Sequence, residues 1–356
     1  MTRRLLQAIA GARHGGAETF FERLATALQR AGETQRALIR RDAARSRRLR
    51  AAGIAVGELG FGGPLDLASR CAFRREVARW RPDIVLTWMS RATRLCPRGD
   101  FVHVARLGGY YDLKYYRCCD RLIGNTRAIV DYAVAAGWPH QRIDYLPNFV
   151  HDARAAASGS RCSPARGNGE MPQALALGRL HPNKGFDLLL AAIAETRAVR
   201  LAIAGDGPLR GSLERLAANL GIAERVSFLG WREDVSELLA GADLLVCPSV
   251  LEPLGNVVIE AWSAGLPVVA TRSDGPAGLI EDEVSGLLIP LPGQPGGGPQ
   301  ALAAAIERLI GDPGLRTRLG QAGRRAYEAE FTEAMVVARY RRYFDRLASG
   351  CAASPG

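Results

Sequence analysis

The sequence predicts an α/β protein built from two doubly wound units, and three observations carry that prediction. Its 356 residues exceed what one hydrophobic core usually serves, so two domains are expected. Short β-branched or leucine-rich runs alternate throughout with segments of helical apolar spacing, the rhythm of βαβ units around a parallel sheet. Between two such series lies DARAAASGSRCSPARGNGEMP, residues 152 to 172, rich in Ala, Ser, Gly and Pro and without periodicity. It reads as a linker or a mobile loop beside one.

In the first half, RRLLQAIA, QRALIR, DIVLTW, FVHVAR, DRLIGN and RIDYLPN have strand character. Between them AETFFERLATALQRAG and DLASRCAFRREVARW place apolar residues at helical intervals. The second half repeats the rhythm with ALALG, VRLAIAG, RVSFLG, DLLVCPS, PVVAT and GLLIP. The expected domains are therefore 1–151 and 172–331, with 152–171 between them. The closing run 332–349, TEAMVVARYRRYFDRLAS, is amphipathic and long enough to staple one lobe to the other.

An apolar fraction of 47% and a charged fraction of 23% are ordinary for a soluble globular chain, which removes disordered and collagen-like readings. The net charge of +11 is uneven: residues 1–150 hold 26 Arg or Lys against 13 Asp or Glu. A basic first half suits nucleic acid, anionic lipid or an anionic small substrate, and charge alone does not choose among them. Of the 47 basic residues only Lys114 and Lys184 are lysine. Seven cysteines with no CxxC spacing fit reduced thiols better than a disulfide framework or a zinc site. The opening MTRRLLQAIAGA has the outline of a signal peptide, but a buried first strand followed by a glycine-rich loop accounts for it as well. No run approaches the roughly 18 apolar residues of a membrane span, so any membrane contact is expected to be peripheral.

Ligands of paired doubly wound lobes bind beyond the carboxyl ends of the strands, so the chemistry is expected in the loops that follow them. In SVLEPLGNVVIEAWSAGLPVVAT, a strand ends near Ser249 and a helix starts near Asn256. Glu252 then stands in the loop and Glu260 within the helix, flanking a helix amino terminus whose N–H groups suit a phosphate. Carboxylates in those places either accept hydrogen bonds from sugar hydroxyls or act as a cap and a solvated helix charge. In ALALGRLHPNKGFDLLL, Arg179 and Lys184 lie between a strand and a helix, where cations can neutralise a diphosphate or simply face solvent. Gly15 and Gly16 in GARHGGAET let the backbone approach a phosphate, or make a plain tight turn. The AGDGP run at 204–208 lacks a full GxGxxG and reads as a turn and helix start.

Taken in order, HGGAETFFERLA, GRLHPNKGFDLLL, IAGDGPLR, VSFLGW, ADLLVCPS, EPLGNVVIEAWSAGLPVVAT and GPAGLIEDEVSGLLIP resemble the retaining family 4 glycosyltransferases of the GT-B fold. The resemblance covers nearly the whole chain and implies two Rossmann-like domains facing a central cleft. It implies Glu252 on the donor sugar's hydroxyls, Glu260 on the ribose, and Arg179 and Lys184 on the diphosphate. It implies further that Gly15 and Gly16 close over the diphosphate, that Pro253, Leu254, Gly255 and Asn256 present amides to sugar and phosphate, and that Trp231 meets the base. Many relatives carry a histidine after an amino-domain strand. Here FVHVARLGGYYDLKYY places His103 inside the strand, where a histidine is more often a packed or hydrogen-bonded core residue, so Arg106 and Asp112 become rival acceptor-side candidates.

That stretch, with LTWMSRA and YLPNF, is similar to bacterial lipopolysaccharide core glycosyltransferases, which implies an envelope glycolipid or glycan acceptor. Tyr110 and Tyr111 then stack on acceptor sugars, or pack in the core. The implied donor is a UDP- or GDP-sugar, the implied place the inner face of the cytoplasmic membrane. No DxD-like carboxylate pair stands in the donor loops, so no metal or other cofactor is expected. A nucleotide-sugar epimerase of similar fold is the alternative. A nucleic-acid-binding protein is a weaker one, because the arginines are not interleaved with aromatics as a recognition motif requires, and no nucleic-acid partner is expected.

Overall fold

The computed structural model describes residues 3–13, 15–63, 66–157 and 171–351. The chain divides into two compact units, the first formed by Met1–Asn148 with Glu333–Gly356 and the second by Phe149–Thr332. The boundary thus falls a few residues before the expected position at 151. Of the expected linker, residues 158–170 lie outside the described set, and its beginning is not a linker but a short helix, Ala153–Ala157.

The first unit is a seven-stranded parallel sheet, β1 (Arg4–Ile9), β2 (Thr34–Arg40), β3 (Ala55–Leu59), β4 (Ile84–Trp88), β5 (Val102–Leu107), β6 (Arg121–Gly124) and β7 (Ile143–Tyr145), in the order β3-β2-β1-β4-β5-β6-β7. Helices α1 (Gly16–Arg30), α2 (Ala43–Ala51), α3 (Leu67–Trp80), α4 (Met89–Leu95) and α5 (Arg127–Ala135) connect the strands. The second unit begins with α6 (Ala153–Ala157) and holds β8 (Gln173–Leu177), β9 (Arg200–Ala204), β10 (Val226–Gly230), β11 (Leu244–Cys247), β12 (Val268–Thr271) and β13 (Leu287–Ile289), ordered β10-β9-β8-β11-β12-β13. Its helices are α7 (Phe186–Glu195), α8 (Arg210–Asn219), α9 (Val235–Ala240), α10 (Asn256–Ala264), α11 (Asp274–Leu279), α12 (Pro299–Gly311) and α13 (Pro313–Glu330). The final helix, α14 (Glu333–Cys351), belongs to the first unit.

Each sheet reverses its direction of growth once, between β1 and β4 in the first unit and between β8 and β11 in the second. At such a switch point the following loops diverge to opposite faces and leave a crevice. Register fixes which residues border it: Ile9 pairs with Trp88, and Leu245 pairs with Leu175. Fully buried strand residues such as Leu6, Val85, Leu175, Leu201 and Val246 bring both faces of each sheet against helices, as an all-parallel sheet requires.

Among the elements that the sequence reading did not mark, β3 and α2 have a clear physical reason. In β3, AVGEL, Gly57 and Glu58 interrupt the apolar run, and α2, AARSRRLRA, has too few apolar residues to show a stripe. Pairing to β2 forms the first, and Asp42 starts the second by accepting from the N–H groups of Ala44 and Arg45.

Helix α14 is held to the first unit by buried Tyr340, Tyr343 and Phe344, by Arg30–Glu333 at 2.5 Å and by an Arg3–Asp345 pair. At its centre Arg106, at the end of β5 and 3% exposed, lies between the rings of Phe20 and Trp88, 4.8 and 4.7 Å from their centroids. It donates to Tyr340 Oη at 3.2 Å and to Asn148 Oδ1. Burial raises the Tyr340 phenol's pKa against the pull of that guanidinium, so the hydroxyl stays protonated. A desolvated guanidinium between two rings is worth about 2 kcal/mol, and its hydrogen bonds add a comparable amount. Arg106→Ala is expected to lower the unfolding free energy by about 3 kcal/mol, read as the midpoint of urea denaturation. A loss within about 0.5 kcal/mol, the range of ordinary surface substitutions, would show that the cluster does not depend on it.

Candidate functional site

The second unit's site is built on the loops after β8, β9 and β11. Beyond β8 the backbone of Gly178 touches that of Gly205: a Cβ on Gly205 would lie 1.8 Å from the Gly178 carbonyl oxygen, and its φ of 152° is a region L side chains rarely adopt. Leu180, fully buried, accepts from Leu209 N–H at 3.2 Å and donates to Asp206 O at 3.0 Å. The AGDGP run therefore makes a turn that clamps the β8 loop. Arg179 sits between these anchored residues with its side chain exposed.

Further on, His181 caps a 3-10 turn, Pro182–Lys184, by accepting from Asn183 N–H at 3.3 Å. Gly185 follows at φ 62°, and a Cβ there would come within 2.2 Å of the Pro248 carbonyl, so only glycine allows α7 to start this close to the end of β11. Leu251 N–H donates to Asn183 O at 3.2 Å and joins the two loops.

That junction brings Lys184 Nζ into an ion pair with Glu252 Oε2, both side chains largely buried, at 24% and 11% exposure. The other Glu252 oxygen accepts from Gly255 N–H at 3.3 Å, and its carbonyl accepts from Gly275 N–H at 2.6 Å. Sequence reasoning placed Glu252 and Lys184 on different parts of a donor; in the structure they hold each other. An ammonium has three N–H donors, so Lys184 can keep Glu252 and still donate to an anion.

Pro253 and Leu254 complete the turn, and Gly255, at φ 77°, leads into α10, which no side chain caps. The positive end of its dipole therefore faces the switch point without a capping side chain, a setting that favours an anion. Asn256 opens the helix and Glu260 stands in its second turn, half-buried. Trp231 follows β10 and is 74% exposed, a large flat surface in water.

In the first unit the glycine loop is tied to the helix that follows it. Gly15 precedes α1, and a Cβ there would strike the Glu18 carboxylate at 2.3 Å, whereas one on Gly16 would meet nothing within 4 Å. Glu18, 5% exposed, accepts from Ala12 N–H at 2.6 Å and folds the loop over itself. Sequence reading missed Glu18, although an acidic residue at the third position of a helix is the available sign of such a loop tie. His14 lies outside the described residues.

The acceptor-side candidates separate. Arg106 is consumed in the packing already described, and burial removes it as a surface contact. Tyr110 and Tyr111 are each 37% exposed; Tyr110 meets Tyr132 edge-on at 5.3 Å and Tyr111 lies parallel to Tyr116 at 6.4 Å. Asp112 is exposed, accepts from Lys114 N–H at 3.0 Å and pairs with Lys114 Nζ at 2.6 Å. Hydrogen bonds from Lys114 hold its carboxyl below the usual range. His103 is 5% exposed within β5, its Nε2 3.0 Å from Thr87 Oγ1 and 3.8 Å from Cys119 Sγ. Hydrogen bonds from Cys119 and then from His103 lower the pKa of the adjacent Cys118 thiol, while the same contact with Cys118 and then burial raise that of Cys119.

Basic charge is concentrated in two clefts of this unit. One of about 510 Å³ lies after β1 and β2 and includes Arg13, Arg40, Arg41 and Arg47, together with Arg45, which is buried and paired to Glu22 at 2.8 Å. The other, about 350 Å³, is lined by Arg94, Arg98, Lys114, Tyr115, Arg117 and Cys118.

Two Rossmann-like units, the second with cations and an uncapped helix at its switch point, make up the architecture of a two-domain doubly wound α/β protein. The profile described as Glycosyltransferase Family 4 matches residues 14–154, and that described as Glycosyl transferases group 1 matches residues 165–326. The lipopolysaccharide core biosynthesis glycosyltransferase LpsE of Rhizobium meliloti (strain 1021) is 35% identical over 92% of this chain and 94% of its own. LpsD of the same strain is 34% identical over 93% of this chain and 95% of its own. The crystal structure of a glycosyltransferase from Rickettsia africae ESF-5 superposes with a TM-score of 0.82 at 16% identity, covering 97% of this chain and 98% of its own. The chain belongs to the group 1/family 4 glycosyltransferases of the GT-B fold.

Lys184→Ala is expected to lower sugar-transfer turnover by about 10²- to 10³-fold, the usual loss for one charge-stabilising donor, with little change in thermal unfolding. Turnover near the wild-type value in the folded variant would remove Lys184 from the chemistry.

Proposed function

We propose that this glycosyltransferase moves a hexose, with retention of anomeric configuration, from a UDP- or GDP-sugar to an envelope glycolipid or glycan of the lipopolysaccharide-core kind. The observation that carries the reading is the placement of Arg179, Lys184, Glu252 and the uncapped start of α10 on the two loops that flank one switch point. Cations and helix amides there oppose the negative charge that grows on a departing diphosphate, the kind of preorganised contribution that is usually largest in catalysis. Glu252 orients Lys184 and accepts from sugar hydroxyls, Glu260 accepts from the ribose, and Trp231 offers a face to the base. The acceptor hydroxyl attacks on the side the diphosphate leaves, and the leaving phosphate takes its proton. These side chains supply the positive charge themselves, so the transfer is proposed to need no metal.

The acceptor class is supported by the two full-length relatives, both named for lipopolysaccharide core biosynthesis. Two basic clefts in the first unit suit a phosphorylated glycolipid, with Tyr110 and Tyr111 close in sequence to the second as stacking surfaces. No helix among the described residues is long and apolar enough to cross a membrane. Attachment to the cytoplasmic face is therefore proposed to be peripheral and electrostatic.

Isothermal calorimetry with nucleoside diphosphates and with the intact sugar nucleotides separates the glutamates. Glu260→Ala is expected to weaken free nucleotide, whereas Glu252→Ala spares it and loses affinity or turnover only with the intact donor. The reverse order would exchange the two roles, and turnover without any glycan acceptor would favour an epimerase.

Co-sedimentation checks the membrane proposal. Binding is expected to phosphatidylglycerol-containing vesicles but not to neutral ones, with a contribution of about 1 kcal/mol per basic residue at the surface and release by salt. Equal binding to both vesicle types would leave the arginines as solvated surface.

A further inference from the structure

Outside the donor loops, the described residues bring one set of metal-ligating side chains together: His103, Cys118 and Cys119, whose donor atoms all lie within 4.8 Å of one another. Sequence spacing hides the set, because fourteen residues separate the histidine from the cysteine pair and no CxxC occurs. Strand pairing closes it. His103 N–H donates to Asp120 Oδ2 at 2.8 Å, and Asp120 N–H donates back to His103 O at 2.9 Å, which locks the two cysteines against the imidazole.

The spacing matches a known coordination geometry. A tetrahedral zinc with nitrogen at about 2.0 Å and sulfur at about 2.3 Å holds those two atoms about 3.5 Å apart. His103 Nε2 and Cys119 Sγ stand at 3.8 Å before any ion is considered. Coordination through Nε2 would displace the Thr87 hydroxyl, which keeps Thr93 Oγ1 at 3.0 Å and Val104 O at 3.2 Å as partners. The donor set, one imidazole and two thiolates, is that of borderline-soft dications.

Charge is not an obstacle despite Arg94, Arg98, Lys114 and Arg117 in the adjoining cleft. Two thiolates and a neutral imidazole cancel a dication, so the assembled site is neutral. His103 and Cys119 are buried, while Cys118 is exposed toward that cleft and leaves an entry path and a coordination position for water.

We propose that His103, Cys118 and Cys119 form a binding site for a zinc-type dication, which ties the connection 108–120 to the start of β5. That connection carries Tyr110, Tyr111 and Asp112, so the ion would fix the segment on which the acceptor-side candidates lie. With one water the three side chains make up a four-coordinate shell; the ion is assigned no part in the transfer, and the site stands independently of the mechanism above.

The test uses the full-length chain, reduced, stripped with a chelator and titrated anaerobically with Co²⁺ as a spectroscopic probe. One equivalent is expected to bind, with thiolate-to-cobalt charge transfer and tetrahedral ligand-field bands, and Zn²⁺ is expected to displace it and raise the thermal midpoint. Cys118→Ser, at an exposed position and therefore compatible with folding, and Cys119→Ser are each expected to weaken binding by at least about 10²-fold, the upper end of the loss when only a ligand's hydrogen-bond partner is removed. Circular dichroism verifies the fold of each variant. The absence of saturable binding at one equivalent overturns the proposal, as does binding that both substitutions leave unchanged.

Discussion

The second unit depends on a backbone-to-backbone contact at the end of its sheet. The β8 and β9 loops touch where Gly205 meets the carbonyl of Gly178, and the start of α7 touches the end of β11 where Gly185 meets the carbonyl of Pro248. No side chain fits in either gap. With the loops fixed by their own main chains, Arg179, Lys184 and Glu252 project from anchored positions rather than from mobile turns. Such rigidity is what electrostatic stabilisation needs, because dipoles and charges already in place require no reorganisation when the leaving group departs.

The pairing of Lys184 with Glu252 gives this rigidity a chemical use. A lone ammonium on a long stem samples many rotamers, and fixing it on binding would cost side-chain entropy. Holding one of its N–H groups on a half-buried carboxylate orients the rest in advance. Glu252 is itself tied by Gly255 N–H and, through its carbonyl, by Gly275 N–H, so the orientation is passed back to α10 and α11.

In the first unit the corresponding constraint is a buried cation. Arg106 joins β5, Asn148 and α14 through two rings and two hydrogen bonds, and the helix that ends the chain is thereby fastened to the unit that begins it. The same strand supplies His103 to the cysteine pair. β5 is thus a strand whose side chains are used for packing and ligation rather than for display. The connection after it, with Tyr110, Tyr111 and Asp112, is where side chains reach solvent.

Much of this was legible in the sequence because the signals are local. Apolar periodicity marked all six strands of the second unit, and glycine, cation and glutamate positions marked the loops after β8 and β11. The ordered motifs pointed to the family. The sequence could not show β3 or α2, whose formation rests on a neighbouring strand and a capping aspartate rather than on their own pattern. It also could not show which polar groups would be spent on each other. Lys184 and Glu252 are 68 residues apart, Arg106 and Tyr340 are 234 apart, and His103 faces Cys119 across 16. Such pairings are set by which strands lie side by side and by how closely glycine lets their loops approach, and only the tertiary structure decides that.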